Sequence, residues 1–170
     1  MPEIAEVEIM ARQLHRWIRG KMLVAVEPQD KAFVGLAWDT LIGHSVRSVA
    51  RRGKYALAHF DDGHTLVIHY RMTGKTVLDP GRGRRARVRL VFGGTDVVAF
   101  VDPRRFGTLD ILLTSALDGW FTDKRLGPEP WPEFRLASWW CERLGGVRSP
   151  IKVAMMRQDR VAGLGNIAVT

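Results

Sequence analysis

The chain has 170 residues, 46% of them apolar and 26% charged, with 26 lysines and arginines against 18 acids and a formal charge of +8. That length and balance suit one globular domain or two small ones around a sizeable core, and they exclude a disordered tail, a collagen-like chain and a coiled coil. No apolar run approaches the roughly 18 residues of a membrane span; the acids of MPEIAEVE stand where an export signal needs a basic and then an apolar stretch; and the single cysteine, Cys141, excludes an internal disulfide and a cysteine-based zinc site.

In chain order, the first segment predicts a helix. Ile4, Val7, Met10, Leu14 and Trp17 recur at three- and four-residue spacing and form one apolar stripe. Pro2, Glu3, Glu6 and Glu8 suit its start, where the helix dipole favours negative charge, and Gly20 suits its stop. The period then changes. Residues 22–26, 45–49, 55–60, 65–70, 86–92, 96–101 and 108–113 are short runs rich in β-branched and aromatic side chains, and Asp61-Asp62-Gly63, Pro80-Gly81 and Gly93-Gly94 read as turns between them. Many short strands at this spacing predict an antiparallel sandwich or barrel, with a loop over residues 82–85. The stretch from Leu126 to Pro132 is a rigid connector. Helical spacing returns over residues 134–144 through Leu136, Trp139, Trp140 and Leu144, which places Cys141 in a core. Ser149-Pro150-Ile151 reads as an N-cap with proline at the first helical position, opening a helix to about Gln158. Asn166 reads as the cap of one more helix.

The positive charge is uneven. Residues 81–107 hold seven arginines (82, 84, 85, 87, 89, 104 and 105) against Asp96 and Asp102, and residues 40–60 hold Arg47, Arg51, Arg52 and Lys54 with no acid. Such a surface suits a polyanion, nucleic acid first, with a merely solubilising face as the plain alternative. The five histidines show no metal-ligand spacing. The N-terminus offers sharper chemistry. Removal of Met1 leaves the Pro2 nitrogen as a secondary amine with a pKa near ~8, a better nucleophile at neutral pH than a lysine. Such an amine attacks a sugar C1′ and forms an iminium, and Glu3 beside it is placed to move protons. Read alone, Met-Pro-Glu is a helix opening first and a nucleophile second.

Five further segments change that balance. Arg51-Arg52-Gly53-Lys54-Tyr55, His69-Tyr70-Arg71-Met72-Thr73-Gly74, Asp102-Pro103-Arg104-Arg105-Phe106-Gly107, Leu126-Gly127-Pro128-Glu129-Pro130 and Gly163-Leu164-Gly165-Asn166-Ile167 follow MPEIAEVE in that order. Together the six resemble the motifs of the formamidopyrimidine-DNA glycosylase / endonuclease VIII family, the opening being closer to the formamidopyrimidine branch. The resemblance implies a role for each position. Pro2 is the nucleophile and Glu3 the acid/base, and Glu6 sits beside the lesion pocket. Lys54 holds phosphates flanking the lesion and assists the chemistry. Met72, Arg105 and Phe106, with Arg104 beside them, fill the gap left when the damaged nucleotide flips out of the stack. Lys152 and Asn166 bind backbone phosphate. Without the motifs, Met72 and Phe106 would read as core and the two arginines as a solvated turn.

The resemblance also carries departures. The family continues into a complete helix–two-turn–helix unit and a C-terminal zinc finger or its zincless equivalent, so the expectation is a chain truncated within that unit, with the zinc site absent and no cofactor. Its N-I-Y-A-S-E continuation reads Asn166-Ile167-Ala168-Val169-Thr170, position five is alanine instead of proline, and Arg85 and Arg87 stand where the family has a histidine pair. The expected fold is α+β: an N-terminal helix, an antiparallel β-sandwich, then a short helical segment that starts the incomplete unit, with a catalytic domain over 1–130 and a partial helical DNA-binding domain over 131–170. The implied function is base-excision repair: a glycosylase with AP lyase activity that removes oxidised purines. The implied protein is a cytoplasmic, nucleoid-associated monomer of bacterial type, acting on double-stranded DNA with oxidised bases or abasic sites. A DNA-binding paralogue without turnover is the alternative, and a generic RNA-binding β-domain has only the charge in its favour.

Overall fold

A computed structural model describes residues 1–79, 86–94, 96–131 and 135–170. Helix α1 (Ile4–Ile18) forms where the apolar stripe predicts it and buries Val7, Ala11, Leu14 and Ile18, with Met10 and Trp17 half-buried at its flank. Its first turn is closed by the Glu3 backbone N–H, which donates to Glu6 at 3.0 Å. The chain leaves the helix through Gly20, whose N–H donates to Val46 O at 2.8 Å.

Two four-stranded antiparallel sheets follow, as the strand pattern predicts. One has the order β1 (Leu23–Pro28), β6 (Ala86–Phe92), β7 (Val97–Val101), β5 (Lys75–Leu78). The other has the order β2 (Val46–Arg52), β3 (Tyr55–Phe60), β4 (His64–His69), β8 (Thr108–Leu113). The main core lies between them and under α1, built from Leu66, Ile68, Tyr70, Val88, Leu90, Phe92, Phe100 and the buried face of α1. The β3 and β4 strands are buried on both faces. Ala56, Ala58, Leu66 and Ile68 serve the main core, and the alternate residues Leu57 and Val67 pack against Leu117 and Phe121 of α3 (Leu117–Asp123). Each pleat therefore contributes to a different cluster.

The structure corrects several expectations. Four-residue β5, helix α3 and the short helix α2 (Lys31–Val34) are too brief to announce themselves by period. Strand β2 runs on through Arg51 and Arg52, whose side chains are taken up by ion pairs, and β7 begins at Val97, after the Phe92 N–H donates to Asp96 O at 2.8 Å. Helix α4 is Ala137–Leu144 and α5 is Ile151–Met156. Pro150, not Ser149, is the N-cap residue of α5, and no side chain caps it. Cys141 is exposed, because α4 has no fully buried residue. Asn166 opens a turn over residues 166–169 rather than a helix. The Pro80-Gly81 turn, the loop over 82–85 and Phe134 lie outside the described residues.

Candidate active site

The β2-β3-β4-β8 sheet ends in one cross-strand row, Tyr55 opposite His69 and His69 opposite Thr108. Three motif segments leave this row: Lys54 precedes Tyr55, residues 70–74 follow His69, and residues 102–107 precede Thr108. Sheet register thus collects segments spread over more than 50 residues of sequence at a single edge.

Lys54 sits in the two-residue loop between β2 and β3, where Gly53 takes the left-handed backbone (φ +58°) that such a hairpin loop requires. The loop is braced from behind. Arg51, its side chain 3% exposed, bridges Glu8 (3.0 Å) and Glu129 (2.6 Å). Arg52 binds Glu129 at 2.9 Å and donates to Gly127 O at 2.7 Å, and the Gly53 N–H donates to Glu129 at 2.5 Å. Glu129 of the connector is therefore the acceptor on which the whole turn is built. Its motif is visible in the sequence, but its pairing with the Arg-Arg-Gly turn, 77 positions away, is not.

Glu3 and Lys54 meet over Gly165. A Cβ on Gly165 would collide with the Glu3 carboxylate and lie 2.7 Å from Lys54 Nζ, so the glycine is what lets the two groups approach. The Glu3 carboxylate accepts from the Ile167 and Ala168 N–H groups at 3.0 and 2.8 Å. Those N–H groups open the 166–169 turn, so Glu3 does the capping that Asn166 was expected to do. Burial alone would raise the Glu3 pKa, but hydrogen bonds from Ile167, Ala168 and Gly165 together with the Lys54 charge bring it below the usual value. Lys54, also buried, is lowered from its usual value as well. Burial lowers its pKa, and Glu3 and Glu6 oppose the shift without cancelling it. Its ammonium makes no hydrogen bond or ion pair among the described residues. Pro2 adjoins Glu3 and is half-buried.

The other two segments form a joined pair of loops. The Thr73 hydroxyl donates to Asp102, whose carboxylate also accepts the Gly107 N–H at 2.7 Å. Met72 is 44% and Phe106 52% exposed, so neither is core. Arg104 lies over the Phe106 ring at 4.9 Å and has no ion pair among the described residues, whereas Arg105 is held by Asp30. Lys152 is half-buried on α5 and Asn166 exposed, and neither side chain has a polar partner among the described residues.

Much of the basic excess is internal. Arg51, Arg52, Arg87 and Arg89 are spent on carboxylates and Arg105 binds one along a single edge, while among the described residues Lys54, Arg71, Arg104 and Lys152 are cations without an ion pair near the motifs. One grouping escaped the sequence spacing. His44, Asp61 and Asp62 bring ligand atoms within 4.8 Å of one another at the opposite end of the same sheet, where His44 pairs with Asp61 and His64 with Asp62.

Comparison with known proteins bears on the family of the chain. The family model of the formamidopyrimidine-DNA glycosylase N-terminal domain matches residues 1–109. The formamidopyrimidine-DNA glycosylase of Acidiphilium cryptum is 35% identical over 178 residues, covering all of this chain and 63% of the relative, and that of Erythrobacter litoralis is 36% identical over 174 residues, covering 99% and 64%. The chain thus spans less than two thirds of the length of these curated relatives. Among solved structures, wild-type Lactococcus lactis Fpg with DNA containing N7-benzyl-Fapy-dG superposes with a TM-score of 0.88 at 31% identity, over 99% of this chain and 65% of that one. The same species' enzyme bound non-covalently to DNA with an AP site gives 0.86 at 31% identity, over 97% and 66%. With three of its motifs leaving one sheet edge, the other three packed about the Lys54 loop, and these matches along its length, the chain belongs to the formamidopyrimidine-DNA glycosylase family.

Proposed function

We propose that the chain carries the catalytic part of a base-excision-repair DNA glycosylase with AP lyase activity, acting on oxidised purines and abasic sites in DNA. The observation that carries the reading is the Glu3–Lys54 pair packed over Gly165 directly beside Pro2. Once Met1 is removed, the Pro2 nitrogen is an amine close to half-protonated near pH 8. Glu3, kept ionised by its backbone donors, takes the ammonium proton and passes it to the sugar ring oxygen. The freed amine attacks C1′ as the C1′–base bond breaks, the alkylated amine gives up its proton to the leaving base, and the C1′–O4′ bond then opens onto the proton supplied by Glu3, which leaves an iminium. The iminium acidifies C2′, and successive β- and δ-elimination expel the 3′ and then the 5′ phosphate. This amine chemistry needs no metal or organic cofactor.

Within this reading Lys54 holds the phosphates beside the lesion and Glu6 borders the lesion pocket. Met72, Arg104 and Phe106 fill the vacated stack, the wedge replacing stacking and the guanidinium replacing base-edge hydrogen bonds. The split between the two arginines follows their contacts. Arg104 rests on an exposed aromatic ring, while Arg105 would have to break a two-point carboxylate pair to enter the helix. Lys152 and Asn166, in the segment from residue 131, belong to the DNA grip, and residues 1–130 to the chemistry. The partners are duplex DNA bearing such lesions, and the working unit is a monomer in the cytoplasm.

The test is a nicking assay on an end-labelled strand with one abasic site, single-stranded and in duplex. Cleavage that leaves phosphate at both sides of the gap and that disappears in Pro2→Gly is expected. Binding without cleavage on either substrate would replace the enzyme reading with a DNA-binding protein lacking turnover.

A further inference from the structure

Behind the 102–107 loop lies a compact network of four charges that the chemistry above does not use. Asp30, at the N-cap of α2, is 5% exposed. One carboxylate oxygen accepts the Ala32 N–H at 3.1 Å and Arg105 Nη2 at 2.8 Å, and the other accepts Arg105 Nε at 3.1 Å and Arg87 Nε at 2.7 Å. Arg87 is itself buried, its guanidinium 4.3 Å from the centre of the Phe33 ring. Its Nη1 donates to Gly107 O at 2.8 Å and approaches Asp102 at 3.5 Å, and its backbone oxygen accepts the Gln29 and Asp30 N–H groups. Two acids and two arginines balance, and the buried pair fixes both the base of the loop and the carboxylate in front of it.

Arg105 is the outer member. Its side chain remains 66% exposed although its Nε–Nη2 edge is fully engaged, so the Nη1 edge is presented to solvent in a fixed direction. Its backbone is left-handed (φ +59°), uncommon for a residue with a side chain. A guanidinium clamped on one edge by a carboxylate is pre-organised to donate from its other edge to a second oxyanion. Resting on the DNA reading above, we infer that Asp30, braced by the buried Arg87, is a positioning residue that aims Arg105 at a DNA phosphate. Arg87 and Asp30 hold, Arg105 contacts, and the neighbouring Arg104 and Phe106 stay free as the stacking tip.

The inference opposes simple electrostatics, which makes it testable. Removing an acid near a polyanion site should strengthen binding if charge alone matters, whereas loss of the aiming group weakens it. The measurement is affinity for a duplex carrying a tetrahydrofuran abasic analogue, by fluorescence anisotropy across a salt series, with melting temperatures of every variant. Arg105→Ala is expected to bind roughly tenfold more weakly and to lower the salt slope by about 1. Asp30→Asn is expected to bind several-fold more weakly despite its added positive balance, and to cost nothing further in an Arg105→Ala background. Arg105→Lys, a surface change that keeps the charge but cannot span both oxyanions, is expected to bind like Arg105→Ala, and it decides the matter if Asp30→Asn does not fold. Asp30→Asn binding as tightly as the parent or tighter overturns the inference. So does an equal loss with and without Arg105, or full affinity in Arg105→Lys. A parent that does not bind the duplex at all overturns the DNA reading itself, a result distinct from a binding parent with indifferent variants.

Discussion

His69 links the site to the stability of the sheet end. It is 7% exposed, packed edge-on against Tyr55 with ring centres 4.5 Å apart, and its Nδ1 accepts the Arg71 N–H at 3.1 Å, which leaves Nε2 to carry the proton of the neutral ring. Burial, with Arg71, Lys54 and Lys124 nearby, pushes its pKa down to about 4 from an ordinary 6.5. Below pH 6.5 the unfolded chain takes up a proton that the folded chain refuses until about pH 4, so stability present at pH 7.5 is lost as pH falls through that window. A drop of that size corresponds to about 3 kcal/mol. Asn in place of His69 keeps an acceptor near the Arg71 N–H but cannot be protonated. Urea unfolding followed by tryptophan fluorescence, repeated at half-unit steps from pH 7.5 to 4, should show the parent losing about 3 kcal/mol more than His69→Asn. Parallel curves for the two proteins would refute the reasoning, because the remaining acids and histidines titrate equally in both.

Three other expectations rest on separate contacts. Gly165→Ala forces Glu3 and Lys54 apart and disrupts two charge-assisted hydrogen bonds, each worth ~1.5–3 kcal/mol. Cleavage of abasic DNA should fall by at least about a hundredfold, and a rate within threefold of the parent would contradict the packing argument. Glu129→Ala leaves the buried Arg51 with Glu8 alone and takes the acceptor from Arg52 and the Gly53 N–H, and should destabilise the fold by roughly 1–3 kcal/mol, measurable as a shift of the denaturation midpoint. Met72→Ala and Phe106→Ala are exposed changes and should leave stability within about 0.5 kcal/mol, yet slow excision from duplex more than cleavage of a single-stranded abasic site. Equal slowing on both substrates would show that they do not act by filling a stack.

The motifs were legible because each is local: a turn glycine beside a lysine, an arginine pair between Asp and Gly, an acid at a helix start. Short runs of β-branched and aromatic residues between turn signals likewise mark seven of the strands, and the apolar stripe marks α1. What stayed hidden was long-range. Glu129 as the acceptor behind Lys54, Asp30 as the holder of Arg105 and Glu3 as the cap of the 166–169 turn join residues 77, 75 and 164 positions apart, and no period encodes such a pairing. Helix α3 was missed because it covers a strand face that reads as one continuous apolar run, where alternation gives no sign of a second layer. The arginine-rich stretches looked like one basic face, but composition cannot tell an arginine that meets DNA from one that neutralises a buried aspartate.

The central claim is that the Pro2 amine is the nucleophile, and one measurement addresses it directly. The chain is incubated with single-stranded abasic DNA, the imine is reduced with borohydride, and the adduct is digested with trypsin and located by mass spectrometry. The account predicts Met1 removed and the sugar remnant on the peptide from Pro2 to Arg12. An adduct on a peptide containing Lys54, the other amine at this site, would contradict it.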